Sequence, residues 1–168
     1  ALLKRMIVVD VLVLAILYDL RIVAGAEATS VAVSGWLMGL ASFLFLALAS
    51  IKRLNELVDA RHRGLDHVLG RGYQDRNRST LLNIGIASGT AASFSLCLYA
   101  QTDAAVALYS QPKALWGIGV VIMLWTIHMV SEASHGAIHD DPMVFIVRDR
   151  VSRVCITTVV LLAAFASL

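Results

Sequence analysis

In a chain of 168 residues, 58% are hydrophobic and only 15% charged, and the mean hydropathy is +0.76. A soluble domain is roughly 45–50% apolar and about a quarter charged, so a water-soluble fold is excluded and lipid must cover the excess apolar surface. The net charge of +2 is too small to point to a nucleic-acid partner, and one all-α transmembrane domain over residues 1–168 is the expected organisation.

A helix needs about 20 mostly apolar residues to cross the hydrocarbon core. About five stretches meet or approach this. Residues 6–25 form the first, interrupted by Asp10, Asp19 and Arg21. Residues 31–51 carry no charge at all. Residues 80–100 are rich in Gly, Ala and Ser, residues 114–130 form the fourth stretch, and residues 154–168 the fifth. No strand-like alternation competes with these, and open sheet edges are not tolerated in lipid. Ala1, where a Met would stand in a complete reading frame, reads as the start of an internal fragment or a processed chain. Cys97 and Cys155 sit inside apolar runs without metal spacing and read as small core residues.

The connections alternate in charge. Lys4 and Arg5 precede the first span, and the segment 26–30 has no Lys or Arg. The segment 52–79 has seven, at Lys52, Arg53, Arg61, Arg63, Arg71, Arg76 and Arg78. Lys113 alone falls in 101–113, whereas 131–153 carries Arg148, Arg150 and Arg153. Cationic loops stay in the cytoplasm, which predicts a cytoplasmic amino terminus and an outward carboxyl terminus. Gly85, Ser88, Gly89, Ala92 and Ser93 give the third span a small-residue face, suited to close helix packing or to a wall thinned to admit a lipid chain. Trp36, Tyr109 and Trp116 fall near span ends, where interfacial anchoring accounts for them.

Three groups of residues carry candidate chemistry. The segment KRLNELVDARHRG places Lys52 and Arg53 within one helical turn of Glu56. Further on, Arg71 and Tyr73 stand between glycines in GRGYQDR. Arginines at a membrane face suit phosphate through paired donors, but a topology signal with surface ion pairs accounts for the same residues. In HDDPMVFIVRDRVSR, Asp140 and Asp141 precede Pro142, and Arg148, Asp149 and Arg150 follow at the mouth of the last span. Helix capping explains this pattern, and so does a wall for a magnesium diphosphate. Asp10, Asp19 and Arg21 are costly in lipid and must face a polar cavity or each other. Asp10 is placed to join the inner site, and Arg21 to pair with Asp19 or reach the outer interface. His128 and Glu132, four residues apart, read as a polar pair rather than a metal site.

Taken together, LLKRMIVVDVLVLAILYDLRIVAGAEAT, IKRLNEL, GRGY and DDPMVFIVRDRVS resemble the UbiA superfamily of intramembrane prenyltransferases. The likeness is to the branch that contains decaprenyl-phosphate phosphoribosyltransferase. The pairing of KRxxEL with a later DPxxFxxRDRVS is its most specific part. The resemblance implies a helical bundle in the bacterial inner membrane, open to lipid and binding a diphosphate donor with Mg²⁺ at its cytoplasmic mouth. In that branch the donor is phosphoribosyl diphosphate and the acceptor a polyprenyl phosphate, a membrane lipid. Carried onto this chain, Lys52 and Arg53 would bind phosphate groups and Glu56 would orient them or a metal-bound water. Arg71 and Tyr73 would close over the donor. Asp141, Arg148, Asp149 and Arg150 would form the opposite wall, with Asp10 and Lys4 reaching the same cavity.

Two features depart from the family. Its members have about nine helices and a first aspartate-rich motif, NDxxDxxxD, which this chain lacks. The DxxxD of ordinary prenyltransferases is replaced by KRLNEL, as the phosphoribosyl branch would show. The chain therefore resembles the C-terminal portion of such a transferase, expected to be inactive by itself. Two alternatives stay open: prenyl transfer from a polyprenyl diphosphate to an aromatic or other small acceptor, and a non-catalytic membrane or lipid-binding subunit.

Overall fold

The computed structural model describes residues 7–62, 77–138 and 142–168. They form seven helices: α1 (Ile7–Thr29), α2 (Gly35–His62), α3 (Arg78–Tyr99), α4 (Asp103–Leu108), α5 (Ala114–His135), α6 (Pro142–Arg148) and α7 (Arg150–Ser167). Among the described residues there is no strand, and the fold is the expected all-α polytopic bundle. Four helices, α2, α3, α5 and α7, are long and apolar enough to cross a membrane. α1 has the length of a span, 23 residues, but carries Asp10, Asp19, Arg21 and Glu27.

α2 runs well beyond the apolar stretch that ends near residue 51. Leu54, Leu57 and Val58 recur at helical spacing in KRLNELVDARH and are buried, so the charged segment continues the helix instead of opening a loop. Pro142 starts α6, where its fixed φ and missing N–H suit the first helical turn. α7 starts at Arg150, earlier than apolarity alone suggests. Asp149 caps it, its carboxylate accepting from Ser152 N at 2.6 Å. α5 ends on Gly136, whose φ of +73° is left-handed. A side chain there would be strained and would strike His62.

α2 packs against α1, α3 and α5, α3 packs on α5, and α7 rests on α5 and α6. The small-residue face of α3 makes the tightest crossing. A Cβ at Gly89 would overlap the side chain of Thr126, and one at Gly119 would sit 2.9 Å from Cys97 Sγ. Ser93 Oγ donates to Gly119 O at 2.7 Å, and Ser50 Oγ to Leu81 O at 2.6 Å. Close helix packing is thus what these residues do, and Cys97 is a packing residue. The outward faces of α1 and α7 keep Leu12, Ile16, Leu20, Val154, Leu161 and Phe165 exposed. Such faces fit lipid.

Candidate functional site

One core cluster joins Ile7 and Val11 beside Asp10, Leu54 and Leu57 around Arg53, and Met129 and Ala133 around His128 and Glu132. Two charged groups are thereby set at the same end of the bundle.

The first group centres on Arg53, which is 3% exposed. Its Nη1 donates to Glu56 Oε1 at 2.7 Å and Oε2 at 2.8 Å. Its Nε lies 2.6 Å from Asp10 Oδ2 on α1, a contact of charge rather than a directed hydrogen bond. A lone charge buried here would be very costly, and the pairing removes most of that cost. Sequence spacing anticipates the Arg53–Glu56 pair; the structure adds Asp10 as the second carboxylate. Arg53 is therefore occupied on both sides by carboxylates of its own chain. Lys52, beside it, is half-buried.

The second group centres on His128. Its Nε2 lies 3.1 Å from Asp149 Oδ2 and its Nδ1 3.9 Å from Glu132 Oε1. Burial of the Asp149 carboxylate opposes its ionisation, but hydrogen bonds from the Ser152 backbone and side chain, and from His128, outweigh this. Its pKa lies below the ordinary carboxylate value. Ser152 is fully buried and accepts a hydrogen bond from Trp125 Nε1 at 3.0 Å. Its hydroxyl also approaches Met129 Sδ at 3.7 Å. A continuous polar run thus leads from Trp125 through Ser152 and Asp149 to His128. Sequence reasoning had the His128–Glu132 pair but not Trp125 or Ser152. The available signals were the i, i+3, i+7 spacing of Trp125, His128 and Glu132, and the capping pattern of Asp149 with Ser152.

Arg148 and Arg150 flank Asp149 and are exposed. Arg78 reaches from α3 to α5, donating to Ser134 O at 3.1 Å. Arg21, expected to pair with Asp19 or to reach the outer interface, lies over the Tyr18 ring at 5.1 Å, a cation–π contact. Asp19 Oδ1 is buried without a hydrogen-bond partner. Arg71, Tyr73, Asp140, Asp141 and Lys4 lie outside the described residues. Among the described residues no three His, Cys, Asp or Glu side chains could hold a metal ion. Glu132 and Asp149 stand on opposite sides of the His128 ring, while Asp10 and Glu56 are engaged by Arg53. These carboxylates do not fit a resident Mg²⁺.

The chain is 34% identical to the nodulation protein NoeC of Azorhizobium caulinodans over 149 residues, covering 89% of this chain and 48% of that protein. It is 35% identical over 153 residues to the uncharacterized protein y4nM of Sinorhizobium fredii, covering 89% of this chain and 29% of that protein. The chain thus spans about half or less of the length of these curated relatives. No protein-family model matches it, and neither does any solved structure.

Proposed function

We propose that this chain is part of a membrane transferase that moves a phosphoribosyl group from phosphoribosyl diphosphate to a polyprenyl phosphate. An acceptor phosphate oxygen attacks the anomeric carbon as the bond from that carbon to the diphosphate oxygen breaks, and diphosphate leaves. Both reactants are anions, so the protein's work is alignment and charge compensation. The observation that carries the reading is the pair of charged groups, Asp10–Arg53–Glu56 and His128–Asp149, built at one end of a mostly apolar bundle. Lys52, Arg148 and Arg150 stand next to these groups in sequence and supply cations for phosphate. The cation bias supports a cytoplasmic setting for this end, where a water-soluble donor is available. Magnesium enters only as the counter-ion a diphosphate carries with it.

The deciding experiment uses the full-length protein in membranes and follows labelled phosphoribosyl into polyprenyl phosphate. Lys52→Ala and Arg148→Ala are each expected to remove transfer. Full activity in both variants would sink the site assignment. Labelled product from a polyprenyl diphosphate and a small aromatic acceptor would favour prenyl transfer instead. One observation favours a non-catalytic lipid-binding role: Arg53 is already matched by two carboxylates. Absence of transfer with either donor would support that alternative.

A further inference from the structure

At the end of the bundle away from Arg53 and His128, three aromatic rings from three elements line one pocket of about 290 Å³. Trp36 comes from the first turn of α2, Tyr99 is the last residue of α3, and Tyr109 follows α4 as its C-cap. The Trp36 and Tyr99 rings lie 6.1 Å apart at 48°, and the Tyr99 and Tyr109 rings 6.4 Å apart at 86°. Interfacial anchoring accounts for rings near span ends, but not for their convergence. The short connection builds that convergence with hydrogen bonds. Thr102 Oγ1 donates to Tyr99 O at 2.8 Å and accepts from Ala105 N, turning the chain from α3 into α4. Tyr109 N then donates to Ala105 O at 2.9 Å, and Gln111 N to Ala166 O of α7 at 3.0 Å.

Leucines from α2, α3 and α4 complete the walls, and among the described residues no carboxylate or cation lines the pocket. Arg21 is already over Tyr18, and Lys113 lines a separate cavity with Trp116. We infer that this pocket receives the quaternary ammonium of a lipid headgroup of the phosphatidylcholine class, an assignment independent of the transfer reading above. Aromatic faces attract a cation through their quadrupole, and a trimethylammonium is the ion such a set of faces suits. A primary ammonium would bring three N–H donors into a mostly apolar pocket with no carboxylate to receive them, whereas a trimethylammonium has none to satisfy. Ser34, Tyr99 and Tyr109 add hydroxyls that make no hydrogen bond among the described residues, which leaves them for the headgroup phosphate. Trp36, Leu37 and Leu108 are exposed, so the pocket opens sideways at a span end, the level of lipid headgroups.

The test uses full-length protein in detergent, given equal amounts of phosphatidylcholine and phosphatidylethanolamine with identical acyl chains. Native mass spectrometry counts the lipid that stays bound. Phosphatidylcholine is expected to be retained about tenfold over phosphatidylethanolamine. Trp36→Leu, Tyr99→Leu and Tyr109→Leu should each cut that preference about threefold or more. Tyr109→Phe, which keeps the ring, and Trp116→Leu, in the neighbouring cavity, should preserve it. Equal retention of the two lipids by the unaltered protein would overturn the proposal, and this comparison stands even where a variant fails to fold. An undiminished preference in folded Trp36→Leu and Tyr99→Leu proteins would overturn it too. A loss in Tyr109→Phe as large as in Tyr109→Leu would trace recognition to the hydroxyl and remove the cation–π basis. Glycerophosphocholine, the headgroup without its chains, should not displace the lipid; equal binding of the two would overturn the assignment to a lipid.

Discussion

His128 Nε2 sits 3.1 Å from Asp149 Oδ2, and the same carboxylate oxygen accepts from Ser152 N at 2.6 Å. One oxygen therefore both caps α7 and ties that helix to α5. Asp149→Ala removes the cap and the tie together. It is expected to lower stability by about 1–2 kcal/mol, read by chemical unfolding in detergent. His128→Ala removes only the tie and should cost less. An equal cost for both would mean that the cap contributes nothing.

The depressed pKa of Asp149 gives a pH dependence of definite sign. The carboxylate is ionised more readily in the folded state than in the unfolded chain. Its stabilising contribution is present above the ordinary carboxylate pKa, about 3.9, and is lost as pH falls through the lower folded value. Thermal midpoints should therefore fall more steeply below about pH 4 in the parent than in Asp149→Asn. Parallel profiles would contradict the assignment.

Arg53→Ala would take the guanidinium away from both Asp10 and Glu56. The expected loss is about 3–5 kcal/mol, because one partner of a buried ion pair is removed. Replacing the whole group with apolar residues of similar size, Asp10→Leu with Arg53→Met and Glu56→Leu, should recover much of that loss. Yield and unfolding midpoint in detergent check both outcomes. A mild Arg53→Ala would show that the group has better access to water than its burial indicates.

Gly89, in the α3–α5 crossing, and Gly39, on α2 outside it, should give opposite results. Gly89→Ala pushes a methyl group into Thr126 and should destabilise by about 1–3 kcal/mol. Gly39→Ala meets nothing within 4 Å and should be neutral or stabilise by up to about 1 kcal/mol, since alanine favours helix. Thr126→Ala should relieve part of the Gly89→Ala defect. Thermal unfolding of the parent, the three single variants and the Gly89→Ala/Thr126→Ala double variant decides the matter, and no coupling between positions 89 and 126 would refute the close crossing.

Much of this architecture is legible in the sequence because a bilayer leaves few options: apolar runs of sufficient length must be helices. The small-residue face of α3 and the capping role of Pro142 are likewise local properties. Asp10 joining Arg53 was only partly legible. Its position at the inner end was readable, but choosing Arg53 over Lys52 as partner depends on how α1 rotates against α2. Arg21 shows the limit more clearly. Charge alone favours Asp19, yet a helix puts residues two apart on different faces and residues three apart on the same one, so Tyr18 receives the guanidinium. Ser152 stayed hidden because its hydroxyl acquires meaning only when α5 brings Trp125 across from another helix.

α2 has 28 residues, which at 1.5 Å per residue is about 42 Å of continuous helix. The hydrocarbon core is only about 30 Å thick. The helix is therefore about 12 Å longer than a perpendicular crossing needs, and Lys52, Arg53 and Glu56, about 26, 27 and 32 Å along it from Gly35, fall around the level where a core of about 30 Å would end. Their level relative to the edge of the hydrocarbon is set by helical rise, so any ligand that needs them must come to that level. Tilting α2 would move all three together, turning a change in bilayer thickness into a change in how deep the charged end sits.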